Sequence, residues 1–148
     1  MRRSEVRLLS PAPNSLTGYA TRLMPKSILV VDDDQSLREL LRLHLSAAGY
    51  DVSTASDGIE AGYAVLKSLP DLIITDVNMP HMDGYQFVEA LKSDKSLPPI
   101  PVIFLTSLDE FDRGQQLGAV GYITKPVRAD KLLAVVAEHL PGGTYPIG

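Results

Sequence analysis

From Ser27 onward, short apolar runs alternate with stretches in which apolar residues recur every three or four positions. The first run, ILVV (Ile28 to Val31), predicts a strand. Behind the triplet DDD, the spacing of Leu37, Leu40, Leu41, Leu45 and Ala48 predicts an amphipathic helix closed by Gly49. YDVSTAS alternates as a second strand, Asp57 is placed to cap a helix running to about Leu69, and LIIT is a third strand. Residues 85–93 predict a third helix. PVIFLT (Pro101 to Thr106) is a fourth strand, entered through Pro98, Pro99 and Pro101, which stop the preceding helix. Residues 109–117 predict a weak helix and GYIT a fifth strand. After Pro126, the positions Leu132, Leu133, Val136, Ala137 and Leu140 predict one apolar face of a last helix.

Five strands alternating with five helices imply parallel strands joined by right-handed crossovers, hence a doubly wound α/β sheet covered on both faces. The first and third runs are the most apolar, which makes them the central strands of a 2-1-3-4-5 order. Ligands of such sheets bind at the carboxyl ends of the strands. Those ends carry Asp32 and Asp33, then Asp76, Thr106 and Lys125, so the unusual polar residues fall on one edge.

Composition narrows the classes. The chain has 148 residues, 45% of them apolar, which suits one domain, and no Cys, which agrees with a cytoplasmic location. A net charge of −4 with scattered basic residues speaks against a nucleic-acid partner. No apolar run reaches the roughly 18 residues of a membrane span. Residues 1–23 hold Arg2, Arg3, Arg7 and Arg22 against the single acid Glu5, are interrupted by Pro11 and Pro13, and lack the apolar centre of a secretory signal. The expected organisation is a disordered extension over 1–25, one domain over 26–140 and a flexible tail over 141–148. Because MPKSILVV starts afresh at Met24, a start codon read too far upstream is the favoured account of the extension, ahead of a transit peptide.

The chemistry rests on LIITDVNMPHMDG, where an apolar strand ends on Asp76 and breaks into a turn built from Asn78, Pro80 and Gly84. Asp32, Asp33 and Asp34 alone would read equally as helix caps. Together with Asp76, the first two become a candidate cation site, with Asp34 left as the cap. Converging carboxylates repel one another, and all-oxygen donors with room for water suit Mg²⁺. An EF-hand is excluded, since Leu37 and Leu43 stand where its Gly and Glu belong. His44, His81 and His139 lack zinc-ligand spacing. Lys125 can neutralise an anion beside the metal, Thr106 can donate a hydrogen bond to it, and Asp76 can act as a nucleophile forming an acyl phosphate. The bland readings are a strand-end Thr106 and turn chemistry at Lys125-Pro126, a bond that is also a cis candidate.

The ordered set ILVVDDD, LIITDVNMPHMDG, VIFLTS and GYITKP resembles the receiver domain of two-component response regulators, over about residues 26–140. The resemblance implies a flavodoxin-like sheet in the order shared by the family's chemotaxis members. It also implies Asp76 as phosphoacceptor, and Mg²⁺ held by Asp32, Asp33, Asp76 and the backbone carbonyl of Asn78. Lys125 would pair with the phosphoryl group, Thr106 would swing toward it, and Tyr122 would follow by changing rotamer. His81 and the Asn78 side chain are read as exposed loop residues that tune access to Asp76.

The implied partners are a sensor histidine kinase or histidine phosphotransfer protein and a downstream target protein. The readout would lie on the face formed by residues 107–140. With Gly148 as the last residue, a single-domain regulator without attached output is expected, able to take phosphate from small donors and to lose it again. Two other readings compete. ILVVDDDQS also resembles the first motif of haloacid dehalogenase-like phosphohydrolases, with Asp32 as nucleophile and Asp34 as acid/base, but it leaves Asp76 unexplained. A non-phosphorylated pseudo-receiver used for docking would have no need of Asp76, Thr106 and Lys125 together.

Overall fold

The computed structural model of the chain describes residues 25–107 and 116–140. In chain order these form β1 (Ser27–Val31), α1 (Gln35–Ala47), β2 (Asp51–Ala55), α2 (Gly58–Lys67), β3 (Leu72–Asp76), α3 (Gly84–Ser93), β4 (Val102–Thr106), β5 (Gly121–Thr124) and α4 (Ala129–His139). The expected helix over 109–117 lies, save its last two residues, outside the described residues, as do most of the expected N-terminal extension and the C-terminal tail.

Every strand pairing is parallel and the order is β2-β1-β3-β4-β5, as the apolar ranking of the first and third runs predicted. Period-2 alternation divides the strand residues between two cores. Ile28, Val30, Leu72, Ile74, Ile103, Leu105 and Ile123 face Leu41 and Leu45 of α1 and Leu132 and Val136 of α4. Leu29, Val31, Ile73, Val102 and Phe104 face Ala61 and Val65 of α2 and Phe87 and Val88 of α3. Because β1, β3 and β4 are covered on both faces, the buried polar residues of these strands, Thr75, Asp76 and Thr106, stand in the last two positions of β3 and the last of β4.

Three of the four described helices begin on an Asp whose carboxylate accepts orphan backbone N–H groups. Asp34 accepts from Ser36 and Leu37, as its reading as a cap required, and Asp57 accepts from Glu60. Asp83 closes a reciprocal box with Gln86, at 2.8 Å and 2.9 Å.

Two helical stripes are narrower than their spacing suggested. Leu40 is 46% exposed, because it sits about 100° round the helix from the centre of the Leu37, Leu41, Leu45 line, beyond the sheet's reach. On α4 the buried positions are Leu132, Val136 and, just past its end, Leu140, while Ala137 is exposed and Val135 takes the half-buried flank. A helix lying flat on a sheet buries one line of contact and leaves the shoulders wet.

The start of α3 is set by a close approach. A Cβ on Gly84 would stand 2.1 Å from the carbonyl oxygen of Asp76, and the Gly84 N–H donates to the Val77 carbonyl at 2.8 Å. Only hydrogen fits there. Gly84→Ala is therefore expected to lower stability by about 1–3 kcal/mol through forced backbone displacement. Urea unfolding measures this; an Ala variant as stable as the parent would show that the helix can move away at no cost.

Candidate functional site

The register that aligns the strands also aligns their ends. Asp76 is opposite Leu105 and Thr106 is opposite Thr124, so the residues following β1, β3, β4 and β5 meet at the carboxyl edge. Asp32 is fully buried just past β1, Asp76 and Thr106 are buried as the last residues of β3 and β4, and Lys125 is half-buried just past β5. Asp33 and Asn78 are exposed beside them.

Lys125 Nζ stands 3.1 Å from Asp76 Oδ1 and 3.2 Å from Asp32 Oδ2. Asp32 Oδ2 is buried, and among the described residues it meets no donor besides this ammonium. Carboxylate oxygens of Asp32, Asp33 and Asp76 all lie within 4.8 Å of one another. Asp76 Oδ1 also accepts the Val77 N–H at 2.8 Å, and the Thr75 hydroxyl donates to the Asp76 carbonyl at 2.9 Å. Lys125 is anchored through its own N–H to the Thr106 carbonyl at 3.0 Å, and the Lys125-Pro126 bond is cis.

Burial and like charge work together on the acids. Burial pushes the Asp32 carboxyl above its ordinary pKa despite the Asp34 N–H and Lys125. Burial first, and the neighbouring Asp32 charge second, push Asp76 the same way despite Lys125. For Lys125, burial opposes the charge, yet Asp76 and then Asp32 outweigh it and raise its pKa. The cluster thus carries more negative charge than one ammonium can match.

The structure brings Asp32, Asp33, Asp76 and Lys125 into one cluster. Thr106 lies on the same edge, its hydroxyl directed locally to the Ser107 carbonyl at 3.0 Å. Tyr122 is half-buried on β5, its ring stacked on Phe104 with centroids 6.4 Å apart, and Phe104 in turn meets Tyr85 edge-on at 5.0 Å. His81 is exposed as expected, but it is held in the left-handed region (φ 70°) with its Nδ1 3.5 Å from Asp57 Oδ2, which ties the loop after β3 to the start of α2. Sequence reading passed over Thr75, a strand residue with no visible reason to be polar, and Arg38, which looks like one more helix-surface charge. Only the register and the first turn of α1 show that both touch backbone of the acidic residues.

A family model described as the response regulator receiver domain matches residues 28–137. Among curated proteins, the chain is 46% identical over 106 residues to the alkaline phosphatase synthesis transcriptional regulatory protein PhoP of Bacillus subtilis, covering 70% of this chain and 43% of that protein. It is 35% identical over 120 residues to protein PilG of Pseudomonas aeruginosa, covering 79% and 89%. The chain spans about half the length or less of the transcriptional regulators it matches, at 43%, 49% and 45% of PhoP, RpaA and ycf27. Among solved structures, the chemotaxis response regulator CheY4 of Vibrio cholerae superposes with a TM-score of 0.74 at 36% identity, covering 79% of this chain and all of that one.

The raised acids set a sign for stability. A carboxyl that binds its proton more tightly folded than unfolded makes stability fall as pH rises from its ordinary value, 3.8 here, through its raised folded value. Asp76→Asn removes one charge and keeps an oxygen for the Val77 N–H. In chelator at about pH 7 the variant is expected to melt above the parent, the gap closing as pH falls toward about 4. A lower midpoint at neutral pH would contradict the burial cost.

Proposed function

The chain belongs to the response regulator receiver domain family, and from that membership we propose that it is a phosphorylation switch with Asp76 as phosphoacceptor. Receiver domains are phosphoacceptor switches rather than enzymes turning over an external substrate. The observation that carries the residue assignment is the convergence of the Asp76 and Asp32 carboxylates on Lys125 Nζ, at 3.1 Å and 3.2 Å.

The donor set fits a hard divalent cation. Asp32 Oδ2 is a buried anionic oxygen met by Lys125 Nζ at 3.2 Å and by no other donor among the described residues, and it stands with two further carboxylates and no softer ligand in the cluster. Asp32, Asp33 and Asp76, with the Asn78 carbonyl, would hold Mg²⁺. When bound, the ion offsets negative charge on the phosphoryl oxygens.

The protein's own groups then divide the work. Asp76 Oδ1 is occupied by the Val77 N–H and faces Lys125, so Oδ2 is the oxygen that attacks phosphorus. An oxygen–phosphorus bond forms as the phosphorus–nitrogen bond of the donor's phosphohistidine breaks. The departing nitrogen keeps the bonding pair as its ring lone pair, and with the proton already on the other ring nitrogen the histidine leaves as neutral imidazole. Lys125 leaves its bridge between the two carboxylates to meet the transferred group, and the Thr106 hydroxyl turns from the Ser107 carbonyl toward it. Tyr122, whose ring rests on Phe104 just before the end of β4, relays that turn to the surface formed by residues 107–140. Residues 108–115 of that surface lie outside the described residues.

A sensor histidine kinase or phosphotransfer protein supplies the phosphoryl group, and a target protein reads the altered face. A regulator of this single-domain size has a counterpart in PilG, of whose length the match covers 89%. The dehalogenase-like alternative is disfavoured by Asp76 itself, which that reading leaves without work although it lies inside the acidic cluster.

Incubation with acetyl phosphate, followed by intact mass, tests the switch chemistry. One Mg²⁺-dependent phosphoryl adduct is expected, absent from Asp76→Asn. An adduct kept by that variant but lost in Asp32→Asn would assign the nucleophile to Asp32, and no adduct at all would leave a docking module.

A further inference from the structure

Asp32 is held at three separate polar groups. Its N–H donates to the Ala55 carbonyl at 3.1 Å, its Oδ1 accepts the Asp34 N–H at 2.9 Å, and its carbonyl accepts from Arg38 Nη1 at 2.8 Å. Three of its four polar groups are therefore committed, and the fourth, Oδ2, is the buried oxygen turned to the site.

Arg38 reaches this carbonyl from one turn inside α1, where its own N–H bonds the Asp34 carbonyl at 2.9 Å. Helical side chains lean toward the N-terminus, so the guanidinium lies back over the first turn. That is the wrong end of a helix for a cation, because the macrodipole is positive there. The half-buried placement is offset by a charge-assisted bond to a backbone carbonyl and by nearby acids, Glu39 and Glu60 among them, each of which feels the Arg38 charge.

A peptide unit is planar, so the carbonyl of Asp32 and the N–Cα bond of Asp33 move as one body. We infer that Arg38 is a positioning residue for the acidic site. By holding the Asp32 carbonyl, it fixes the plane that joins Asp32 to Asp33, and with it the relative direction of the two carboxylates that share a cation. This rests on the reading of the cluster as a Mg²⁺ site.

The test compares Arg38→Met, which keeps the packing stem and removes the donor, with Arg38→Lys, which keeps a cationic donor. Mg²⁺ affinity is read by calorimetry, alongside the melting midpoint in chelator. Loss of a residue that orients a metal ligand weakens binding by roughly 10–100-fold, so Arg38→Met is expected to raise the Mg²⁺ dissociation constant about tenfold, with Arg38→Lys recovering most of it. The Mg²⁺ concentration giving half-maximal adduct should move by the same factor, with adduct restored at saturating Mg²⁺. Should Arg38→Met fail to fold, Arg38→Gln, a neutral donor, makes the same comparison. Parent-like affinity in Arg38→Met, or a Lys variant as weak as the Met one, overturns the inference and leaves the site reading standing. A parent chain that binds no Mg²⁺ overturns the site reading, and the inference with it.

Discussion

One ammonium shared between two buried carboxylates is the contact on which this edge of the molecule depends. Lys125 meets Asp76 at 3.1 Å and Asp32 at 3.2 Å, and without it two anions would stand at the end of an apolar sheet with only backbone N–H groups to answer them. The arrangement is incomplete by design of charge: three acids face one base. Such a site holds free energy in reserve, which any incoming positive charge can release.

The sheet explains why that charge gathers on one edge and nowhere else. Strands β1, β3 and β4 are buried on both faces, and their side chains alternate between two apolar cores. Buried polar groups enter such strands at their last one or two residues, and parallel pairing puts all like ends on the same side. Asp76 opposite Leu105, and Thr106 opposite Thr124, are consequences of register before they are consequences of function.

Much of this was legible in the chain. Apolar runs interrupted by helical spacing give parallel strands, and the acid at the tip of LIIT has no structural excuse, so Asp32, Asp76 and Lys125 could be gathered from order alone. Element ends were less legible. Helix α2 stops at Lys67 rather than near Leu69, because Pro70 disfavours helical backbone at the residue before it, and Leu69 is left 48% exposed. Arg38 and Thr75 were invisible because each acts on a backbone carbonyl, and a backbone carbonyl leaves no mark in a sequence. The exposure of Ala137 has the same origin: spacing gives the line of a helical stripe, while its width depends on the surface it meets.

The contact between Gly84 and the Asp76 carbonyl has a mechanical consequence. With the start of α3 pressed against its backbone, the Thr75 hydroxyl on its carbonyl and the Val77 N–H on its carboxylate, Asp76 is mounted on a stiff wall. Across the site stand a long Lys stem and a hydroxyl that donates to its neighbour's carbonyl. The mounting is therefore unequal: backbone contacts and a glycine without slack close on Asp76 from the α3 side, while side chains with free rotors stand at the ends of β4 and β5.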